Sequence, residues 1–425
     1  MHEPIGIAGL SHLGLCTAIG SAAKGATIVA FDPDATLIAA IKTGQLPVNE
    51  PGLEAALAEH GCRIAFTSDP AHLTRCAAIY VAVDVPTDDG GASDSTSVGA
   101  IVAAVTPRLG PTAALVILSQ VSPGYTRQLP VPHDRLYCQV ETLIFGRALE
   151  RVLSPERFIL GCADPSRPLP AGIANYLGRF GCPVLRMRYE SAELAKIAIN
   201  CLLAASVSTT NTLAELAGAI GADWAEIAPA LRLDARIGPK AYLAAGLGIA
   251  GGNLERDLAT ARRLATRAGT DAGVIAAFAE NSRHMAGWAW RMLCRTLADR
   301  TKPRIGVLGL AYKPGTNSVK NSPSLALLRM ARECSASVHD PVVPGSVAPG
   351  TNAVARPEMV AEGADAVLVM TPWDEYRALD LAALATRMRG RVMIDPYRLF
   401  DGAAVDAAGL DHYAIGRPPM RASHG

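Results

Sequence analysis

Apolar runs and amphipathic stretches alternate along the first part of the chain. The runs at residues 5–8 and 27–31 have the length and composition of buried strands. Between them, Leu15, Ala18 and Ile19 recur at helical spacing. Further apolar runs of strand length lie at residues 78–83, 114–118 and 136–140. Strands that alternate with helices predict a parallel sheet, in which ligands bind at the carboxyl ends of the strands.

From residue 190 the pattern becomes helical. An Ala-rich, proline-free stretch runs to about residue 221 and predicts one long helix. A glycine-rich loop follows at residues 244–257, and a further helix is predicted from about residue 254 towards residue 266. Apolar runs return at residues 303–310, 335–338, 366–370 and 392–394. We therefore predict an α/β protein with two Rossmann-like domains joined by a long central helix, divided into residues 1–188, 189–296 and 297–425.

Composition and charge argue against several classes of protein. The chain carries 40 basic and 39 acidic residues, whereas a nucleic-acid-binding surface requires a basic excess. Its nine cysteines lack C-x-x-C spacing, which predicts reduced thiols rather than a metal site or a disulfide framework. No uncharged apolar run reaches the length of a membrane span, and the N-terminal residues lack the basic segment of a signal peptide. We expect a cytoplasmic protein that binds no nucleic acid, no membrane and no metal.

A glycine-containing turn follows the first strand and precedes the first helix. Glycines there let the backbone approach a pyrophosphate, which the helix N-terminus attracts. Asp32 ends the second strand, where a carboxylate binds ribose hydroxyls and repels the 2′-phosphate of NADP. The pattern predicts an NAD site in which Ser11 replaces the usual middle glycine. The predicted cofactor residues belong to the turn and to neighbouring strand ends: Gly9, Ser11, His12, Leu13, Gly14, Asp32, Val83, Pro86, Ser119 and Gln120.

Three polar residues interrupt the apolar pattern of the long helix. Lys196 and Asn200 are four positions apart and therefore share one face, and Asn211 lies further along the same helix. Burying such side chains without partners is costly, so they mark either a functional site or an exposed polar stripe. The glycine-rich loop also allows two interpretations, a segment that approaches a ligand closely or an ordinary surface loop.

Ordered motifs extend over nearly the whole chain. They are residues 44–53, residues 119–127 (SQVSPGYTR), residues 193–200 (ELAKIAIN), residues 308–316 and 319–323, and residues 395–398 (DPYR). In this order they resemble the motifs of the UDP-glucose/GDP-mannose dehydrogenases, which are NAD-dependent oxidoreductases of nucleotide sugars; Gln120 replaces the threonine of the family's S-T-V-x-P-G-x-T. The resemblance implies an NAD-binding domain, a central region with an active-site loop, and a C-terminal nucleotide-sugar-binding domain. The long helix that joins the two halves is also the predicted dimerisation element, and we expect a homodimer.

The resemblance also implies chemical roles. The family oxidises a sugar CH₂OH to a carboxylate in two hydride transfers, through a thioester. By this resemblance Lys196 stabilises the developing alkoxide, Asp257 assists proton transfer through water and Asn200 orients the sugar. Glu141 occupies the position of the hydrolytic glutamate, and Arg398 that of an arginine reaching a neighbouring subunit's substrate. The implied substrate-binding residues are Thr142, Leu143, Asn211, Arg236, Gly248, Gly251, Tyr312, Lys313 and Arg398.

The chain departs from the family at the nucleophilic thiol. Aligned from Asp257, the family motif G-G-S-C-F-P-K-D reads AGGNLERD, so Asn253 replaces the cysteine, and an amide cannot form a thioester. The loop after Glu141 reads TLIFG in place of F-L-R-E-G. We expect either one hydride transfer that yields an aldehyde or ketone, or oxidation followed by re-reduction with the NAD retained. The alternatives are full oxidation to a uronic acid by a cysteine-independent route and a non-catalytic nucleotide-sugar-binding paralogue. Cys138 is either a substitute nucleophile or a buried structural cysteine.

Overall fold

A computed structural model describes residues 3–86, 88 and 93–422. The chain divides into two compact units, Met1–Ile199 and Asn200–Gly425, and the division falls inside a helix that spans Tyr189–Ile220. Each unit contains a largely parallel sheet with helices packed on it. The predicted α/β fold with two Rossmann-like sheets and a long central helix is therefore confirmed. The three-part division at residues 188 and 296 stays a prediction.

The sheet of the first unit includes the strands expected from the early apolar runs. Its strands are β1 (Ile5–Ala8), β2 (Ile28–Phe31), β3 (Ile64–Thr67), β4 (Ala78–Val81), β5 (Ala114–Ile117), β6 (Leu136–Gln139), β7 (Phe158–Cys162) and β8 (Val184–Arg188). The order is β3-β2-β1-β4-β5-β6-β7-β8, and among these strands only the pair β6–β7 is antiparallel. Because β1 pairs with β4 and β4 with β5 in parallel, their carboxyl ends lie side by side.

Helices of the first unit cover both faces of its sheet. They are α1 (His12–Ala23), α2 (Ala35–Lys42), α3 (Leu53–His60), α4 (Thr96–Val105), α5 (Ala148–Leu153), α6 (Ala171–Gly178) and the start of α7 (Tyr189–Ile220). Leu15 and Ile173 belong to the core on one face, and Val98 and Ala192 to the core on the other. All residues of β1, β2, β4 and β5 are buried, as expected for parallel strands covered on both faces.

The second unit repeats the Rossmann strand order. Its strands are β9 (Arg304–Leu308), β10 (Ser335–His339), β11 (Asn352–Ala353), β12 (Ala366–Val369), β13 (Val392–Ile394) and β14 (Asp411–Tyr413). They lie in the order β11-β10-β9-β12-β13-β14, and every pair is parallel. The helices besides α7 are α8 (Trp224–Leu233), α9 (Asn253–Ala268), α10 (Gly273–Ala286), α11 (Trp288–Thr296), α12 (Pro323–Met330), α13 (Leu381–Arg387) and α14 (Gly402–Ala407).

Local chemistry sets both ends of α9, the helix after the glycine-rich loop. Glu255 accepts a hydrogen bond from Gly252 N at 3.0 Å and so satisfies one of the free N–H groups at the helix start. The helix ends at Gly269, whose φ of +66° is a left-handed conformation that favours glycine. These signals explain why the predicted helix at residues 254–266 differs from α9 by only a few residues at its ends.

The sequence patterns missed β3, β7, β8, β11 and β14. Four of these, β3, β8, β11 and β14, are the edge strands of the two sheets. Edge strands bury fewer residues, as the exposed pair of β11 illustrates, so no continuous apolar run marks them. By length and composition alone, the central helix α7 is long and apolar enough to cross a membrane. Core helices of globular proteins share this length and composition, so these features alone do not assign α7 to a membrane.

Candidate active site

The turn between β1 and α1 fits a dinucleotide. A Cβ added at Gly14 would lie 1.7 Å from the carbonyl oxygen of Gly9, so helix and strand meet here more closely than a side chain allows. Gly9 has a φ of +92°. Asp32 follows β2 and accepts a hydrogen bond from Leu10 N at 2.8 Å. A close helix–strand contact with an acid beside it is what the diphosphate and ribose of NAD require.

The ends of β4 and β5 are tied to each other and to the start of α1. Ser119 Oγ accepts a hydrogen bond from Val83 N at 2.9 Å. Asp84 N donates to Ser11 Oγ at 2.9 Å, and the Asp84 carboxylate accepts from Leu13 N at 3.4 Å. The structure thus brings four predicted cofactor residues together. It adds the side chain of Asp84, which belongs to the segment after the predicted strand but is not among the predicted cofactor residues.

A buried carboxylate that the sequence analysis also missed connects the cofactor turn with the loop after Glu141. Glu50 Oε2 lies 2.9 Å from His12 Nε2 on α1. Glu50 also accepts hydrogen bonds from Gly146 N at 3.1 Å and from Ala148 N at 2.6 Å. The rings of His12 and Phe145 lie 4.4 Å apart. His12 therefore links the cofactor turn to this loop through its contacts with Glu50 and Phe145.

Lys196 and Glu141 form an ion pair in the first unit. Lys196 Nζ lies 3.1 Å from Glu141 Oε1, and Leu143 N donates to Glu141 Oε2 at 2.7 Å. The two charged side chains are only 14% and 18% exposed. With Gln120 they line a cavity of about 30 Å³ beyond the ends of β5 and β6. The Lys196 ammonium is partly buried, and Glu141 balances its charge. At the carboxyl edge of a parallel sheet, this cation is positioned to stabilise developing negative charge.

A second carboxylate on α7 holds the loop that follows β5. Glu193 accepts hydrogen bonds from Gly124 N at 2.6 Å and from Thr126 N at 3.0 Å. Burial raises the pKa of this carboxyl, and the same hydrogen bonds oppose that shift. The contact explains why an acid occurs one turn before Lys196, and it fixes the backbone beside the Lys196 cavity.

The backbone carbonyl oxygens of Thr142 and Pro86 each accept a hydrogen bond. Thr142 O accepts a hydrogen bond from Arg151 Nε at 3.4 Å. Pro86 O accepts one from Asp94 N at 2.9 Å. Both residues lie in loops at the carboxyl edge of the first sheet, which is consistent with ligand binding, and their predicted roles stay predictions.

A buried polar cluster lies at the start of the second unit. Asn200 Nδ2 donates to Asp257 Oδ2 at 2.5 Å, and Arg256 Nε lies 3.2 Å from Asp257 Oδ1. Asn200, Arg256 and Asp257 are all buried. Because both carboxylate oxygens are engaged, Asp257 is held in one orientation. Arg256 balances its charge, a role that the sequence comparison with the family motif did not indicate.

The glycine-rich loop packs against the polar loop that follows β9. Gly251 N donates to Lys320 O at 3.1 Å, and Asn321 Nδ2 donates to Glu255 at 2.6 Å. A Cβ at Gly251 would lie 2.4 Å from the Tyr312 ring. The loop is therefore fitted closely to its neighbours, which argues against an ordinary surface loop. Asn253 follows it as the exposed first residue of α9.

The remaining predicted substrate residues have structural contacts of their own. Asn211 is buried and accepts a hydrogen bond from Gly246 N at 2.9 Å, which anchors the start of the glycine-rich loop. Arg236 is exposed and pairs with the nearby Asp234 at 2.7 Å. Gly248 has a φ of +84° and lies beside Ser282. The Lys313 ammonium lies over the Tyr312 ring. Arg398 forms a two-point ion pair with Asp223. For Arg398 to reach a neighbouring subunit, as the resemblance implies, it would have to exchange this partner.

Two thiols lie beside these clusters, and neither favours the thiolate form. Burial, together with the charge of Glu193, raises the pKa of the Cys138 thiol to about 12. Burial and the charge of Asp257 raise the pKa of the Cys201 thiol. A nucleophilic cysteine acts as the thiolate, so the structural interpretation of Cys138 is the better supported. Within the described residues no group of three or more His, Cys, Asp or Glu side chains is arranged to hold a metal ion.

Both units of the chain are similar to proteins of one known family. Family models of the UDP-glucose/GDP-mannose dehydrogenases match residues 3–168 (NAD binding domain), 190–283 (central domain) and 306–402 (UDP binding domain). The chain is 30% identical to the UDP-glucose 6-dehydrogenase TuaD of Bacillus subtilis (strain 168), over 99% of this chain and 94% of that protein. The chain belongs to the UDP-glucose/GDP-mannose dehydrogenase family. The predicted family and the predicted NAD cofactor are thereby confirmed.

Other members of the family support the same assignment. The UDP-glucose 6-dehydrogenase AglM of Haloferax volcanii is 31% identical, over 97% of this chain and 99% of that protein. The solved structure of a UDP-glucose dehydrogenase from Pyrobaculum islandicum is 25% identical and superposes with a TM-score of 0.85 over 98% of both chains. The protein is an NAD-dependent nucleotide-sugar dehydrogenase by family, and the clusters around Lys196 and Asp257 are the candidates for its chemistry.

Proposed function

We propose that this dehydrogenase oxidises an alcohol of a nucleotide sugar to an aldehyde or ketone and forms no carboxylic acid. The observation that carries the proposal is Asn253, an amide at the position of the family's nucleophilic cysteine and the exposed first residue of α9. An amide cannot capture the aldehyde, so the tetrahedral adduct that would lose a second hydride does not form. The raised pKa values of Cys138 and Cys201 argue against a substitute thiolate.

In the first unit, Lys196 is proposed to stabilise the alkoxide as the sugar hydroxyl loses its proton. NAD, when bound, supplies the hydride acceptor. The 3.1 Å contact with Glu141 supports this role, because it holds the ammonium in place and balances its charge before substrate arrives. Glu141 keeps one oxygen fixed by Leu143 N and is proposed to help relay the hydroxyl proton to solvent. The alcohol carbon loses a hydride and the oxygen a proton, which leaves a carbonyl.

In the second unit, Asn200 and Asp257 are proposed to orient the sugar and to assist proton transfer through water. Their direct hydrogen bond supports a common task, since each fixes the side chain of the other. Arg256 compensates the charge of Asp257, and removing either partner of such a buried pair leaves an uncompensated charge. We further propose that Tyr312, Lys313 and Arg398 belong to the nucleotide-sugar-binding part of the chain.

The number of NADH molecules formed per nucleotide sugar tests the proposal. Limiting UDP-, GDP- and dTDP-linked hexoses are each incubated with excess NAD, and the product mass is read in parallel. One NADH with a carbonyl product supports a single hydride transfer. Two NADH with a carboxylate would overturn it in favour of a cysteine-independent route to the uronic acid. No NADH with any sugar, although calorimetry detects binding, would indicate a non-catalytic nucleotide-sugar-binding protein.

We propose that the protein is a cytoplasmic homodimer and that α7 carries the interface. In the second unit Leu202, Leu213, Leu216 and Ile220 are 73%, 42%, 50% and 71% exposed. Their spacing puts them on one stripe of the helix, and an exposed apolar stripe of this kind favours association. Replacing Leu202 and Ile220 with glutamate should yield a monomer in light scattering. A dimer that survives both substitutions would place the interface elsewhere.

A further inference from the structure

Three carboxylates surround the turn that receives the cofactor, and each has a different partner. Asp32 accepts a hydrogen bond from Leu10 N and belongs to the ribose position. Glu50 is buried, and its charge faces His12. Asp84 differs from both, because it is exposed and, among the residues that the structure describes, no cationic side chain forms an ion pair with it. Its carboxylate accepts instead from the backbone N–H of Leu13, in the first turn of α1.

The first-turn N–H groups of α1 are the donors that a dinucleotide diphosphate uses. A helix leaves its first N–H groups without partners inside the helix, and they carry partial positive charge. In a Rossmann fold the diphosphate lies at this helix terminus. β1 and β4 are neighbouring strands, so the residue that follows β4 can reach the same terminus. The hydrogen bond from Asp84 N to Ser11 Oγ holds the backbone of Asp84 beside the turn.

We propose that Asp84 is an internal competitor of the NAD diphosphate: its carboxylate accepts from the first-turn N–H of Leu13 and lowers the affinity for the cofactor. An incoming diphosphate meets a like charge and has to displace it. The charge of Asp84 also contributes, after burial and the charge of Glu50, to raising the pKa of the Cys16 thiol, one turn further along α1, to about 12. A moderate affinity for NAD suits an enzyme that must exchange NADH for NAD after each turnover.

The expected effect follows from Coulomb's law. Removing one like charge beside a bound diphosphate, in an exposed site of high effective dielectric constant, should tighten binding about tenfold. Salt should reduce the difference, since exposed charges are screened. The effect should require a diphosphate but not a nicotinamide ribose. Adenosine, which has no phosphate, should bind equally well with and without the Asp84 charge.

Calorimetric titration of Asp84→Asn with NAD, ADP and adenosine tests the proposal, with Asp134→Asn as the control. Asp134 is an exposed acid that precedes β6 and therefore lies at the opposite, amino edge of the same sheet. We expect Asp84→Asn to bind NAD and ADP about tenfold more tightly at low ionic strength, with a smaller gain at high ionic strength. Adenosine binding should be unchanged in both variants, which also verifies that the site is folded.

Three results would overturn the proposal. Weaker binding of NAD by Asp84→Asn, with ADP unchanged, would mean that Asp84 is a ligand of the nicotinamide ribose. Unchanged binding of both NAD and ADP would mean that the carboxylate moves aside without cost. A gain that is equal in Asp84→Asn and Asp134→Asn would also contradict it, because the effect would then reflect net charge alone. None of these titrations depends on turnover, so they remain valid if the one-hydride proposal fails.

Discussion

Replacing Gly251 with alanine tests whether the glycine-rich loop is as closely fitted as its contacts imply. The φ at Gly251 is +90°, and an added Cβ would lie 2.4 Å from the Tyr312 ring. Gly315 provides a matched control in the same unit, because its φ is +76° and an added Cβ meets no atom within 4 Å. Both substitutions carry the cost of a left-handed alanine, and only Gly251→Ala adds a steric conflict.

The size of each effect can be worked out separately. A left-handed alanine costs about 1–2 kcal/mol, and overpacking of a fitted contact costs about 1–3 kcal/mol. We expect Gly251→Ala to lower the free energy of unfolding by about 3 kcal/mol, and Gly315→Ala by about 1 kcal/mol. In a Tyr312→Ala background the ring is absent, so Gly251→Ala should cost no more than Gly315→Ala.

Tryptophan fluorescence in urea measures the unfolding of the relevant unit. All four tryptophans of the chain, at positions 224, 288, 290 and 373, lie in the second unit. The signal is therefore specific to the unit that contains Gly251, Gly315 and Tyr312. Equal losses for Gly251→Ala and Gly315→Ala would refute the steric argument. So would a Gly251→Ala cost that persists undiminished in the Tyr312→Ala background.

Three further predictions concern the chemistry. Lys196→Ala should lower kcat by about a hundredfold to ten-thousandfold, because the developing alkoxide loses the cation that stabilises it. Binding of the nucleotide sugar, measured by calorimetry, should change little. An unchanged kcat would remove Lys196 from the mechanism. Asn253→Cys should yield some carboxylic acid in the product mass spectrum, because the start of α9 favours a thiolate; a product without acid would show that other residues also block the second step. In the folded protein an alkylating reagent should modify the exposed Cys62 and leave Cys138 unmodified, because burial raises the pKa of the Cys138 thiol to about 12. Rapid labelling of Cys138 would instead support a role as a nucleophile.

The strands and helices that hold the candidate site were predictable because their signals are local. The apolar run at residues 5–8 became β1 with the predicted bounds, and the run of helical spacing after residue 190 became α7. Glycine at positions 9 and 14 with Asp32 at the next strand end was sufficient to predict the cofactor turn. Edge strands such as β8 and β11 escaped prediction because their residues are largely exposed.

The partners of the predicted side chains arose only on folding, because they are distant in the chain. Glu141 and Lys196 are 55 residues apart, Asn200 and Asp257 are 57 apart, and both pairs meet in hydrogen-bond contact. No local sequence pattern indicates that Glu50 contacts His12, or that the Asp84 carboxylate accepts a hydrogen bond from the N–H of Leu13, 71 residues earlier in the chain. Short-range spacing determines which elements form and which residue types they carry. Whether a charge is balanced, buried or placed where a ligand binds depends on strands brought side by side in the sheet, and that is a property of the tertiary structure.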